Sequence, residues 1–253
     1  MSKKLHKYIR KEKFPTALCA GCGHGIVLSA LLKSIDDLEL NQRDIVIVSD
    51  NGCIGLVAGY LLFDVVHAPD SKSIPIAVGI KKDNPNLKVI VITGDGSLSS
   101  GGANHLMHAA NKSLEITVIC ATNKIYAMAG GFSCATTPVG AITATAPAGH
   151  AQLPLDLCKV AYAGGAHYIA RTSVYHVKQL TKSIKIGMLA KGLSFIEVIS
   201  ICPVEYGSRN GFKTPIEMLN NLRLNCVPSD IVAAIDQRGV NDRIAIGEYT
   251  KKG

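Results

Sequence analysis

The stretch Leu87-Lys-Val-Ile-Val-Ile-Thr-Gly-Asp-Gly96 sets the fold. Its start is apolar and largely β-branched, which suits a strand buried on both faces. That strand runs directly into Gly94-Asp95-Gly96, and a helical pattern follows over residues 101–112. Strand, glycine turn and helix in this order make the first half of a βαβ unit. The same alternation extends outward in both directions. Strands are expected at 45–49, 87–93, 115–121, 166–170 and 194–200, and helices at 24–35, 101–112, 155–164 and 176–190. This predicts an α/β fold, a mostly parallel sheet with helices on both faces. Residues 125–153 interrupt the pattern with Gly, Thr, Ala and Pro and almost no charge. A loop of that length inside a compact domain is usually functional.

Ligands of open parallel sheets gather at the carboxyl ends of strands. Gly94 and Gly96 there would let backbone N–H groups approach a phosphate, and the following helix N-terminus favours an anion. Asp95 would repel a diphosphate unless a divalent cation lay between them. Mg²⁺ takes oxygen ligands in octahedral geometry. Asn123, just past the next expected strand, can offer a neutral second oxygen, and the Ile125 carbonyl a third. A lone Gly-Asp-Gly can equally be no more than a tight turn. The asparagine after a second strand gives the pair the form of the Gly-Asp-Gly…Asn signature of thiamine-diphosphate enzymes.

Eight cysteines in a chain with no apolar signal segment point to reduced thiols, metal ligation or catalysis rather than disulfides. Cys19-Ala-Gly-Cys22 precedes a helix, while Cys53 and Cys202 each follow a strand at a turn with Gly or Pro beside it. Four convergent thiolates suit a zinc ion or a 4Fe–4S cluster, and their number does not separate the two. Cys120 within a strand and Cys158 within a helix read as small packing residues. Cys134 lies in the Gly/Thr stretch and can line a site, whereas Cys226 carries no signal.

The net charge of +8 owes much to an N-terminal arm carrying Lys3, Lys4, Lys7, Arg10, Lys11 and Lys13. Aromatics are 5% of the chain and Trp is absent, so a nucleic-acid surface is not expected. No apolar run reaches the ~18 residues of a membrane span. A cytoplasmic location is expected. Residues 1–253 read as one domain, with the basic arm at one end and an extension from about residue 205 at the other.

Taken together, Cys19-Ala-Gly-Cys22-Gly-His24, Cys53, Gly94-Asp95-Gly96, Asn123 and Cys202 resemble β subunits of 2-oxoacid:ferredoxin oxidoreductases. The resemblance runs from about Tyr8 to Asn210. Leu157-Cys158, Tyr175-His-Val-Lys-Gln-Leu180 and Cys202-Pro-Val204 look most like the 2-oxoglutarate type. It implies the thiamine-diphosphate-binding fold and an enzyme incomplete without an α subunit. Its reaction is oxidative decarboxylation of a 2-oxoacid, with 2-oxoglutarate favoured. The products are acyl-coenzyme A and CO₂, with electrons leaving through a 4Fe–4S cluster to ferredoxin. By this likeness Cys19, Cys22, Cys53 and Cys202 ligate the cluster, and Asp95, Asn123 and the Ile125 carbonyl hold Mg²⁺. Gly94 and Gly96 flank the diphosphate, His24 is the candidate catalytic residue in contact with cofactor, and Asn104 is a candidate cofactor-binding residue. Further γ and ferredoxin-like δ subunits are candidate partners.

The chain departs from the family pattern in places. Asp70-Ser71-Lys72 replaces a common His-Gly-Arg, with Lys72 a candidate replacement cation. Leu56 stands where relatives often carry Lys or Arg. Thr122-Asn123 replaces Asn-Asn, Gly130-Gly131-Phe132 replaces Gly-Gly-Gln, and Cys134-Ala135 replaces Ser-Pro. Fewer cations near the pocket leave the choice of 2-oxoacid open. Two competing readings are a non-redox thiamine-diphosphate decarboxylase or lyase and a zinc-stabilised binding module. The first leaves the four-cysteine pattern unused. The second leaves the Asp95–Asn123 pairing unexplained.

Overall fold

The computed structural model describes residues 3–228 and 243–249. In chain order its elements are α1 (His24–Asp37), β1 (Ile45–Ser49), β2 (Asp64–His67), α2 (Ser73–Asp83) and β3 (Lys88–Gly94). There follow α3 (Asp95–Ser97), α4 (Ala103–Asn111), β4 (Ile116–Thr122), α5 (Leu157–Ala163) and β5 (Tyr168–Ser173). The last are α6 (Val177–Leu189), β6 (Ser194–Ile199), α7 (Pro215–Asn225), β7 (Cys226–Pro228) and β8 (Ile244–Glu248). The eight strands form one sheet in the order β2-β1-β3-β4-β6-β5-β8-β7. Every neighbouring pair is parallel except β5 with β8.

Strand residues divide between two cores as the period of two requires. Ile45 and Ile47 of β1, Ile90 and Ile92 of β3, and Ile196 and Val198 of β6 face the side covered by α1 and α6. Val46, Val48, Val89, Val91 and Phe195 face the side covered by α2, α4 and α5. Helices on both faces explain why these strands read as unbroken apolar runs.

The five expected strands are present, β1 with its expected bounds and the others with ends offset by at most three residues. Expected helix 101–112 begins earlier, because Asp95–Ser97 and a π-helical turn at Leu98–Gly102 join β3 to α4. Asp95 therefore opens a helical stretch rather than sitting in a free turn. Two helices, α2 and α7, lie outside the sequence expectation. Ser73-Ile-Pro-Ile-Ala-Val reads as extended, yet a proline is tolerated in a first helical turn. Thr214-Pro-Ile-Glu217 is a legible start, since the Thr214 hydroxyl accepts from the Glu217 N–H at 3.2 Å. The basic arm is also more ordered than expected: Leu5, Tyr8 and Ile9 are buried in the α1 core, and Lys7 pairs with Asp36 at 2.8 Å. Among the described residues no helix is long and apolar enough to cross a membrane.

From β1 the chain goes to β2 on one side and returns through α2 to β3 on the other. The loops leaving β1 and β3 thus part in opposite directions, and a crevice opens between them.

Candidate functional site

That crevice is a cleft of about 450 Å³, well within the range of ligand sites. Its walls come from five places: His24 at the start of α1, Asn51–Ile54 after β1, Asp70 after β2, Gly94–Ser97 after β3, and Ala121, Asn123 and Ile125–Ala129 from the end of β4 onward. Asp95, Asn123, Ile125, Cys53 and His24 are therefore brought together from four separate strand or helix ends.

Asp95 is buried, and its Oδ2 accepts from the Lys124 N–H at 2.8 Å and from the Thr136 hydroxyl. Burial pushes its carboxyl pKa up despite these donors. Among the described residues no lysine or arginine lines the cleft, so two carboxylates, Asp70 and Asp95, share it without a cation. A buried carboxylate, an amide oxygen and a peptide carbonyl form a hard-oxygen donor set that suits Mg²⁺. The Ile125 carbonyl already accepts from the Ala127 N–H at 3.0 Å and keeps a second lone pair.

The two glycines differ in role. A Cβ at Gly96 would stand 2.3 Å from the Tyr126 ring, whose hydroxyl donates to the Gly96 carbonyl at 2.8 Å. Gly96 is thus required by packing. A Cβ at Gly94 would meet only Ile54, at 3.7 Å, so what Gly94 leaves open is cleft space.

His24 is buried, with Nδ1 3.3 Å from the Ser200 hydroxyl, and burial lowers its pKa to about 4. It is a neutral imidazole at neutral pH. Asn104 does not line the cleft: it is exposed on α4. Lys72 is no cleft cation either, for its Nζ lies 3.4 Å from His105 Nε2 on an exposed surface. Leu56 is exposed and also outside the cleft lining. Asn51, Ser97, Tyr126 and Met128 were missed as wall residues, and only the loop positions of Asn51 and Ser97 hinted at them.

The four singled-out cysteines converge beside this cleft. The Cys22 thiol is raised to about 11, first by burial and then by Cys202, Cys53 and Cys19 nearby. Cys53 and Cys202 are raised by burial and by their fellow cysteines in the same way. Backbone N–H groups point at three sulfurs: His24 at Cys22, Met128 at Cys53, and Glu205 and Tyr206 at Cys202. Cys19 is the exposed member. Among the described residues, only Asp156, Cys158 and Glu197 bring three such ligand atoms within 4.8 Å of one another. The four sulfurs are therefore more spread than ~2.3 Å bonds to a single zinc would allow. Arg171 pairs with both Asp156 and Glu197 and already neutralises that other group.

Cys120 and Cys158 are buried within β4 and α5 as expected, but Cys158 also donates to Glu197 Oε2 at 3.3 Å. Cys134 is buried away from the four, with Sγ 3.8 Å from Asp95 Oδ2.

The family described as thiamine pyrophosphate enzyme, C-terminal TPP binding domain, matches residues 50–198. That span takes in Gly94-Asp95-Gly96, Asn123 and Cys53, and leaves Cys19, Cys22 and Cys202 outside. The 2-oxoglutarate synthase subunit KorB of Methanocaldococcus jannaschii is 41% identical over 243 residues, covering 96% of this chain and 90% of that one. This chain belongs to the β-subunit family of the 2-oxoacid:ferredoxin oxidoreductases. The KorB subunit of Methanothermobacter marburgensis is 39% identical to this β subunit over 243 residues, covering 96% and 85% of the two chains. A solved 2-oxoglutarate:ferredoxin oxidoreductase from Magnetococcus marinus shares the fold, with a TM-score of 0.85 at 24% identity. It covers 98% of the β subunit and 85% of its own chain. The β subunit is thus one chain of a thiamine-diphosphate-dependent oxidoreductase, and its cleft lies at the carboxyl ends of the strands, where open parallel sheets bind their ligands.

Proposed function

We propose that this chain supplies the Mg²⁺–diphosphate half of a 2-oxoglutarate:ferredoxin oxidoreductase and carries one 4Fe–4S cluster. The observation that carries the reading is the meeting of Asp95, Asn123 and the Ile125 carbonyl in one cleft that Cys53 and His24 also line. Asp95, Asn123 and Ile125 would hold the ion, with Gly94 leaving room for the diphosphate. Cys19, Cys22, Cys53 and Cys202 would ligate the cluster, and the backbone N–H groups aimed at three of them favour thiolates. When bound, thiamine diphosphate would supply an electron sink for decarboxylating a 2-oxoacid, and the cluster would supply one-electron redox chemistry. Asp95 offsets the ion's charge, neutral His24 serves as a hydrogen-bond partner without adding charge, and the apolar Ile54, Met128 and Ala129 limit water.

The names of the relatives support 2-oxoglutarate as substrate and ferredoxin as acceptor. The M. marinus enzyme was solved with coenzyme A and succinyl-CoA bound, which supports coenzyme A as the acyl acceptor here. An α subunit would complete the cleft, with γ and ferredoxin-like δ subunits as further partners in the cytoplasm. Residues 1–253 would act as one unit. Anaerobically purified protein should show broad brown absorption that dithionite bleaches, with about four irons per chain. A colourless protein holding one zinc would overturn the cluster assignment.

A further inference from the structure

Asp50 follows β1 and is 1% exposed, yet it does not line the cleft. Its carboxylate takes donors from four residues. Oδ1 accepts from the N–H groups of Asn51 (3.0 Å) and Ser71 (3.1 Å). Oδ2 accepts from the hydroxyls of Ser73 and Thr93, each at 2.9 Å. Its own N–H donates to the Ile92 carbonyl at 2.8 Å. Gly55 folds back so closely that a Cβ there would stand 1.9 Å from the Asp50 carbonyl oxygen.

These partners belong to three segments. One is the turn that carries Cys53. The second is the turn that carries Asp70, in which Ser71 holds φ at +63°. Ser71 also directs its N–H at the Ser97 hydroxyl (3.0 Å) and donates its own hydroxyl to the Ser97 carbonyl (2.8 Å). A strained residue persists only where its surroundings over-determine it, and here the surroundings are Asp50 and Ser97. The third segment is the end of β3, where Thr93 precedes Gly94-Asp95-Gly96. All three segments form walls of the cleft.

We propose that Asp50 is a positioning residue that fixes the Cys53 turn against the Gly94-Asp95-Gly96 turn, and thereby the spacing between the cluster and the diphosphate site. The proposal rests on the cofactor assignment above. Hydrogen bonds to a charged acceptor are the stronger kind, and buried donors left without one are costly, so a single carboxylate can hold three turns. Asp50→Asn is the mild probe. The amide oxygen can keep the two backbone donors, while the Ser73 and Thr93 hydroxyls rotate to accept from the amide nitrogen. Asp50→Ala strands all four donors. Thr93→Val removes one donor at constant volume.

The experiment uses the complex with its α subunit. Calorimetric titration with thiamine diphosphate and Mg²⁺ is paired with iron analysis and electron paramagnetic resonance of the reduced cluster. Asp50→Ala should weaken cofactor binding by on the order of tenfold and change the line shape at unaltered iron content. Asp50→Asn and Thr93→Val should shift both readouts in the same direction by less. If Asp50→Asn and Thr93→Val bind the cofactor and resonate as the parent does, and only melt earlier, Asp50 is a fold element and the proposal fails. A parent complex that binds no thiamine diphosphate would instead refute the cofactor assignment, and the Asp50 proposal with it.

Discussion

Asp95 is held by protein donors and also lines the cleft. The donors are the Lys124 N–H and the Thr136 hydroxyl. Asp95→Ala is expected to abolish thiamine diphosphate binding in calorimetry. It should also lower stability by about 1–3 kcal/mol, since buried donors lose their acceptor; denaturant melts would read that loss. A mutant with unchanged cofactor affinity would exclude Asp95 as the bridge to the ion. The cysteines divide in the same manner. Replacing Cys202 by Ala should destroy or convert the cluster, because each iron needs its own terminal ligand. Cys120→Ala should keep full iron at a cost of roughly 1 kcal/mol. An unaltered cluster in Cys202→Ala would remove Cys202 from the ligand set. Asp95, Asn123 and the four cysteines were legible in sequence because a glycine turn, a strand end or a Cys-x-x-Cys marks each. Asp50, Asp70 and Tyr126 were not, since their roles depend on partners far along the chain that only folding brings near.

Among the elements, β5, β6 and α5 are joined by charge inside an apolar layer. Arg171 of β5 donates its Nε to Glu197 of β6 at 2.6 Å and its other arm to Asp156. Asp156 also accepts from the Lys159 N–H and so caps α5. Glu197 is 3% exposed and takes the Thr122 hydroxyl at 2.9 Å as well. Arg171→Ala should therefore destabilise by about 3–5 kcal/mol, because it leaves a buried carboxylate without its cation. The double variant Arg171→Met, Glu197→Gln should recover much of that loss in the same denaturant titration. A loss below about 1 kcal/mol for Arg171→Ala would show the network to be solvated. Periodicity located β5 and β6 but gave no sign that Arg171 and Glu197 meet. It missed β2 for a simpler reason: Asp64–His67 is a short edge strand with exposed residues, and so lacks an apolar run. The missed α2 hides behind Pro75, which reads as a breaker when its place in the first turn is unknown.

At the scale of the molecule, the cleft brings carboxylates and, among the described residues, no cation of its own. Met128, Phe132, Val139 and Leu153 of the long stretch after β4 expose apolar surface. The chain alone is expected to reduce no viologen when given a 2-oxoacid and coenzyme A, and to gain that activity once its α subunit is added. Robust turnover by the single chain would show its active site to be complete. The parallel sheet itself was legible because strands covered on both faces cannot conceal their hydrophobicity. Its order was not, because adjacency is invisible in a run of apolar residues. That order has a consequence for synthesis. β5 is made before β6 but lies outside it, so β6 must enter between β4 and β5. Until residue 199 has left the ribosome, β4 keeps an open edge and β5 has no parallel neighbour. A nascent chain halted after α6 would present that edge to any other strand, a recognised route to aggregation. The last of the four proposed cluster cysteines, Cys202, follows three residues behind β6. A cluster held by all four proposed cysteines could therefore be loaded only after β6 has been made.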